Sequence, residues 1–98
     1  FDGKVKAIEA VDRALPMLTA LKPDVIAITG DHSTPSQMRS HSWHPVPLLV
    51  WAPATVRRDA ARSFGEQACS QGGLGTFPSA ELMPLLLAHA GRLEKYGA

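Results

Sequence analysis

The sequence is short of most features that would commit it to a specialised class. It has one cysteine, Cys69, which excludes an internal disulfide and fits a reducing compartment. No run approaches the roughly 20 apolar residues of a membrane span, and the opening FDGKVKAIEA has no apolar signal-peptide core. The expectation is a cytoplasmic protein with no membrane partner. An excess of one charge is missing as well, because ten Lys and Arg face nine Asp and Glu for a formal +1. Arg57-Arg58 is the longest basic cluster, and the six aromatic residues do not alternate with basic ones. That argues against a nucleic-acid-binding domain. Internal repeats are absent, and no linker is long enough to divide the chain.

What is present is one small domain's worth of chain, 98 residues with 45% apolar composition. A free chain of this size buries roughly 60 to 65% of its unfolded surface, which leaves modest stability unless a neighbour covers part of it. The centre of organisation is DVIAITGDHSTPSQMRSHSWHPVPLLVW, Asp24 to Trp51. Its two apolar runs, Val25 to Thr29 and Val46 to Trp51, suit buried strands of a mostly parallel sheet. Pro45 and Pro47 place the start of the second ladder near Leu48. Adjacent parallel strands are therefore expected near 25–29 and 48–52, with helices near 4–20 and 79–90 packed against them in an α/β layer arrangement.

The first helix follows from Val5, Ile8, Val11, Leu15 and Leu18 at three-to-four spacing, with Asp2 as its cap. Pro16 predicts a kink or a break into two pieces. Ser79 is the expected cap of the last helix, Pro84 is expected to remove one of its backbone bonds, and Gly91 is its stop. Thr55 to Ala61 reads as a surface excursion, and Phe64 to Cys69 as a helical turn or two ended by Gly72-Gly73. Gly72-Gly73-Leu74-Gly75 lacks the strand-GxGxxG-helix order and any following Lys-Ser/Thr, so a mobile or tightly packed turn is favoured over a phosphate loop.

Chemistry concentrates beyond the first strand. Asp31 and His32 supply an oxygen and a nitrogen that suit one divalent ion, provided Gly30 allows a sharp turn. His41 and His44 follow on the returning loop, and Arg39 among them offers a planar fork to an anionic substrate. Two readings stay open at this point. Either these groups hold metal, or Asp31 caps the following turn and the histidines are polar loop residues. Arg39 is equally well written as solvent-facing. The loop's hydroxyls form no convincing serine-histidine-acid set, so no nucleophile is assigned. Cys69 is read as a buried structural thiol and His89 as a packed or partly exposed histidine on its helix.

Thr29-Gly30-Asp31-His32-Ser33-Thr34-Pro35, followed by Arg39, His41-Ser42 and Pro45-Val46-Pro47-Leu48, resembles the C-terminal part of the cofactor-independent phosphoglycerate mutases of the archaeal type, within the alkaline phosphatase superfamily. The resemblance continues through Phe64-Gly65-Glu66, Cys69, Gly72-Gly73-Leu74-Gly75, Glu81-Leu82-Met83-Pro84 and Lys95-Tyr96-Gly97-Ala98. It implies that residues 1–98 are the C-terminal portion of a metal-binding, phosphatase-like α/β/α sandwich whose upstream part is absent. Ala98 resembles a natural end, and Phe1-Asp2-Gly3 resembles a point well inside the longer chain. By the same resemblance Asp31 and His32 bind one metal of a two-metal centre (Mn²⁺, Mg²⁺ or Zn²⁺) and His41 binds the other. The serine nucleophile and remaining ligands lie upstream, so the isolated chain is expected to be inactive and to bind metal weakly or not at all. The substrate implied is a small phosphorylated carboxylic acid, 2- or 3-phosphoglycerate. Trp43 and His44 depart from the family's small or acidic residues there. A related phosphatase or phosphonate hydrolase, and a non-catalytic structural or interaction domain, are the alternatives. Apolar surface and strand edges left open are expected to favour a homo-oligomer.

Overall fold

The computed structural model describes residues 2–94; Phe1 and the Lys95-Tyr96-Gly97-Ala98 ending lie outside the described residues. In chain order it contains helix α1 (Asp2–Ala20), strands β1 (Ile26–Thr29) and β2 (Leu48–Trp51), helix α2 (Glu66–Ser70), a 3₁₀ turn at Ser79–Glu81 and helix α3 (Leu82–His89). The strands fall where the apolar runs placed them, but they pair antiparallel, with Ile26 opposite Trp51 and Thr29 opposite Leu48. Among the described residues this two-stranded ribbon is the whole sheet. The expectation of a mostly parallel sheet in an α/β/α sandwich is therefore overturned.

The reason lies in residues 30–47. A parallel pair needs a crossover, usually helical, that carries the chain back to the start of the first strand. Here Pro35 begins a tight turn in which Met38 and Arg39 both donate to its carbonyl, at 3.1 and 3.0 Å. Arg39 takes a left-handed conformation, φ 52°. An antiparallel bridge between Ser33 and Ser42 then folds the loop back on itself, so the chain re-enters the sheet at the end it left. From Thr29 opposite Leu48 to Ser33 opposite Ser42 one side advances four residues and the other six. The surplus falls on the side of Pro45 and Pro47, which lack the donors a regular ladder would need.

The helices also correct the expectation. Helix α1 runs unbroken through Pro16 to Ala20, and Lys22 beyond it takes φ 54° before Pro23. Pro84 is the third residue of α3, in the first turn, where proline is better tolerated than in a helix interior. Ser79 lies inside the 3₁₀ turn that precedes α3, and neither turn nor helix has a side-chain cap. Gly91 stops the helix as expected. It takes φ +73°, its N–H donates to Ala88, and Arg92 donates to Leu87, the paired bonds of a Schellman end.

Neither long helix packs against the ribbon; α1 makes at most marginal contact with any other element. Ala52 is the one fully buried apolar residue among those described. Ile8, Met17 and Leu21 are each more than two-thirds exposed. The accessible surface is 8257 Å², whereas a compact monomer of this mass exposes about 5,400 Å². Among the described residues no helix is long and apolar enough to cross a membrane.

Candidate functional site

The far end of the ribbon carries the chemistry. Thr29, the last residue of β1, donates its hydroxyl proton to the Pro47 carbonyl at 2.8 Å and ties the two sides of the loop together at its base. Asp31 and His32 follow at once. One Asp31 oxygen, Oδ1, accepts the backbone N–H of His32 at 2.9 Å. The other, Oδ2, lies 3.2 Å from His32 Nε2. The carboxylate thus curls along the backbone onto its neighbour's ring. Gly30 is not what permits this, because it is not in the left-handed region. A Cβ there would meet only ordinary contacts, the nearest at 3.9 Å.

His41 joins them from the returning side. Its ring centroid is 3.5 Å from that of His32, with the planes tilted by 55°. Its Nδ1 is 2.8 Å from the Thr34 hydroxyl. The Ser33–Ser42 bridge sets Thr34 and His41 opposite each other one step nearer the turn, so this contact follows from the register. Lys4, reaching from α1, donates to the Thr34 carbonyl. Sequence reasoning passed over both Thr34 and Lys4. Thr34 has a signal only once the register is known, and Lys4 has none.

His44 takes a different direction. Ser42 and His44, two apart on an extended stretch and so on one face, meet at 2.7 Å between Oγ and Nδ1. The His44 ring stacks on Trp43, centroids 4.3 Å apart, and Trp43 is 86% exposed. Arg39 occupies the turn tip and is exposed; among the described residues the ion pair found is His32–Asp31 alone.

Other expected features resolve elsewhere. The Asp59 carboxylate accepts the N–H of Gly73 at 2.7 Å and of Ala61 at 2.9 Å, and these bonds hold it below the usual aspartate range. A Cβ on Gly72 would lie 3.2 Å from the same carboxylate. The Gly72-Gly73 turn is thus packed against Asp59, and an amide a phosphate would need is already taken. Cys69 is half-buried, short of the buried thiol expected. His89 is half-buried and meets the Thr55 hydroxyl through Nδ1 at 2.8 Å. That hydroxyl also lies 3.1 Å from the His89 carbonyl, so one side chain meets both polar groups of His89.

The donor set can be tested against a metal ion. At metal–ligand distances of about 2.0 to 2.2 Å, two neighbouring ligands of one ion sit about 2.8 to 3.6 Å apart, from right-angled to tetrahedral geometry. Asp31 Oδ2 and His32 Nε2, at 3.2 Å, fit such a seat. They do not complete one, because among the described residues no group of three or more His, Cys, Asp or Glu is arranged to hold a single ion. The model of the metalloenzyme superfamily matches residues 1–89. The chain belongs to the metalloenzyme superfamily. Over all 98 residues it is 58% identical to a protein of Thermotoga neapolitana and 59% identical to one of Thermus thermophilus. Each is named a probable 2,3-bisphosphoglycerate-independent phosphoglycerate mutase, and the chain spans 24% of the length of each. The solved structure of the PH0037 protein from Pyrococcus horikoshii is similar over 97% of this chain and 29% of that one, at 40% identity and a TM-score of 0.85. The resemblance to the cofactor-independent phosphoglycerate mutases is borne out, and this metalloenzyme chain is mutase-like over its full extent.

Proposed function

We propose that this segment is the C-terminal portion of the metal-binding domain of a phosphoglycerate mutase, which interconverts 3- and 2-phosphoglycerate in the cytoplasm. The observation that carries the reading is the Asp31–His32 seat, with two donor atoms 3.2 Å apart, in a chain 58% identical to a protein named for that activity. Asp31 and His32 hold one divalent ion (Mn²⁺, Mg²⁺ or Zn²⁺), and His41, with its ring against His32, belongs to a second. Bound ions in such a centre polarise phosphoryl oxygens and lower the pKa of a hydroxyl nucleophile. The chain's own residues do the holding. The base of the loop is closed by Thr29 and Pro47, and the bridge at Ser33 and Ser42 keeps its two sides in register. Arg39, at the exposed tip, offers its guanidinium to the substrate's phosphate or carboxylate. The serine that receives the phosphoryl group lies in the polypeptide outside these residues. The segment alone therefore binds metal weakly and does not turn over substrate.

The superfamily match does not single out a mutase, and that observation keeps a phosphatase or phosphonate hydrolase as a second reading with the same ligands. The deciding experiment uses the full-length natural polypeptide. It follows conversion of 3-phosphoglycerate to 2-phosphoglycerate against release of free phosphate, for the wild type, His32→Ala and Asp31→Asn. Isomerisation without phosphate release, reduced at least about 100-fold in both variants, is the expected result, since removing a ligand dismantles the ion's seat. Phosphate release as the main reaction selects the hydrolase. Full activity in both variants removes Asp31 and His32 from the centre.

A further inference from the structure

We infer that Thr34 is a positioning residue for His41: its hydroxyl oxygen accepts the proton on Nδ1 and leaves the Nε2 lone pair as the ring's only free donor. This rests on the metal-centre reading for what Nε2 does, but not for how the ring is held. Four observations converge on it. Thr34 Oγ1 lies 2.8 Å from His41 Nδ1. The two residues face each other across the loop beside the Ser33–Ser42 bridge, so the contact is built into the backbone pairing. The Thr34 main chain is itself held, because Lys4 of α1 donates to its carbonyl. The His32 ring, 3.5 Å from that of His41, restricts rotation of the imidazole from its other side.

A neutral imidazole carries one proton, and only the unprotonated nitrogen has a lone pair for a cation. Free imidazole in water populates both tautomers, so a ring without a partner at Nδ1 presents Nε2 as a donor atom only part of the time. An oxygen fixed beside Nδ1 removes that loss and sets the ring plane at once. Metal-bound histidines usually have such an oxygen, and replacing it lowers affinity by about 10- to 100-fold. A threonine hydroxyl meets an imidazole Nδ1 elsewhere in this protein as well, at Thr55 and His89, 2.8 Å apart. Thr34 is also where α1 touches the site, and Lys4 thereby couples the position of that helix to the orientation of His41.

The test uses the full-length natural polypeptide with ¹⁵N-labelled histidine. It compares wild type, Thr34→Val (same shape, no hydroxyl) and Thr34→Ser (hydroxyl kept). Long-range nitrogen–proton spectra of the metal-free protein, at a pH where imidazole is neutral, report which nitrogen of His41 is protonated. The expected result is Nδ1–H in wild type and Thr34→Ser, and a mixed or Nε2–H form in Thr34→Val. Calorimetric titration with Mn²⁺ should then show about 10- to 100-fold weaker binding at one site for Thr34→Val only, with the His89 signals unchanged as a check on folding. Nε2–H in the wild type, or a tautomer indifferent to Thr34→Val, overturns the inference. If no variant binds Mn²⁺ but the tautomer follows the hydroxyl, the positioning role stands and the metal-centre reading falls.

Discussion

In the loop of residues 30–47 each imidazole is met by a neighbour from the same loop: His32 by Asp31 and His41, His41 by Thr34, and His44 by Ser42. Along α1 the situation is reversed. Val5, Ile8, Val11, Leu15 and Leu18 form the apolar face that spacing anticipated, yet Leu15 is only half-buried and the other four are exposed. Lys4, reaching Thr34, is the helix's hydrogen-bonded link to the site. Hydrogen bonds of short sequence reach close within one segment. A hydrophobic face lowers the free energy only when another surface removes it from water, and this segment does not contain that surface.

The largest effect that would sharpen this comparison concerns the chain by itself. With one fully buried apolar residue among those described, the isolated 98 residues should lack most of the 5 to 15 kcal/mol typical of a folded domain. Urea titration should give a broad, weakly cooperative transition, the chain should bind a hydrophobic dye, and it should self-associate in sedimentation. A sharp two-state transition of a monomer would show that α1 finds its partner within these residues.

A substitution on the uncovered face separates the two contexts. Ile8→Asp should change the isolated chain by less than about 0.5 kcal/mol, as surface changes do. In the full-length polypeptide, where the face is expected to be covered, it should destabilise by about 2 to 4 kcal/mol. Equal, small effects in both would mean that the face is open in the whole protein as well.

Pro16 probes the helix without touching its partners. Pro16→Ala restores one backbone donor toward Asp12 and removes a clash, changes worth about 1 to 3 kcal/mol to the helix. Circular dichroism of the isolated chain should show more helix, while the ring contacts within residues 30–47 stay as they are. Loss of those contacts would show that the loop depends on the shape of α1.

The smallest effect lies at Asp59. Its folded pKa is lowered by the N–H groups of Gly73 and Ala61. Its contribution is therefore fully present above the ordinary aspartate value of 3.8 and is lost as pH falls through the lowered folded value. Hydrogen exchange at Gly73 should speed up over that acid window and, in Asp59→Asn, at all pH values. An unchanged rate would mean that the Gly72-Gly73 turn holds without the carboxylate.

The local vocabulary of this protein was legible in its sequence. The apolar runs located both strands, three-to-four spacing located α1, Gly91 marked the stop of α3, and Asp31, His32 and His41 shared one loop. Each of these depends on residues a few positions apart. Strand direction, the Thr34–His41 pairing and the open face of α1 were decided only by the tertiary structure. An apolar strand reads the same in either direction, and the choice fell to where the path from Pro35 through the Ser33–Ser42 bridge returned the chain. Thr34 and His41 meet because of a register that two extra residues near Pro45 and Pro47 had shifted. Whether a hydrophobic face is buried depends on a second surface, and a periodicity describes only the first.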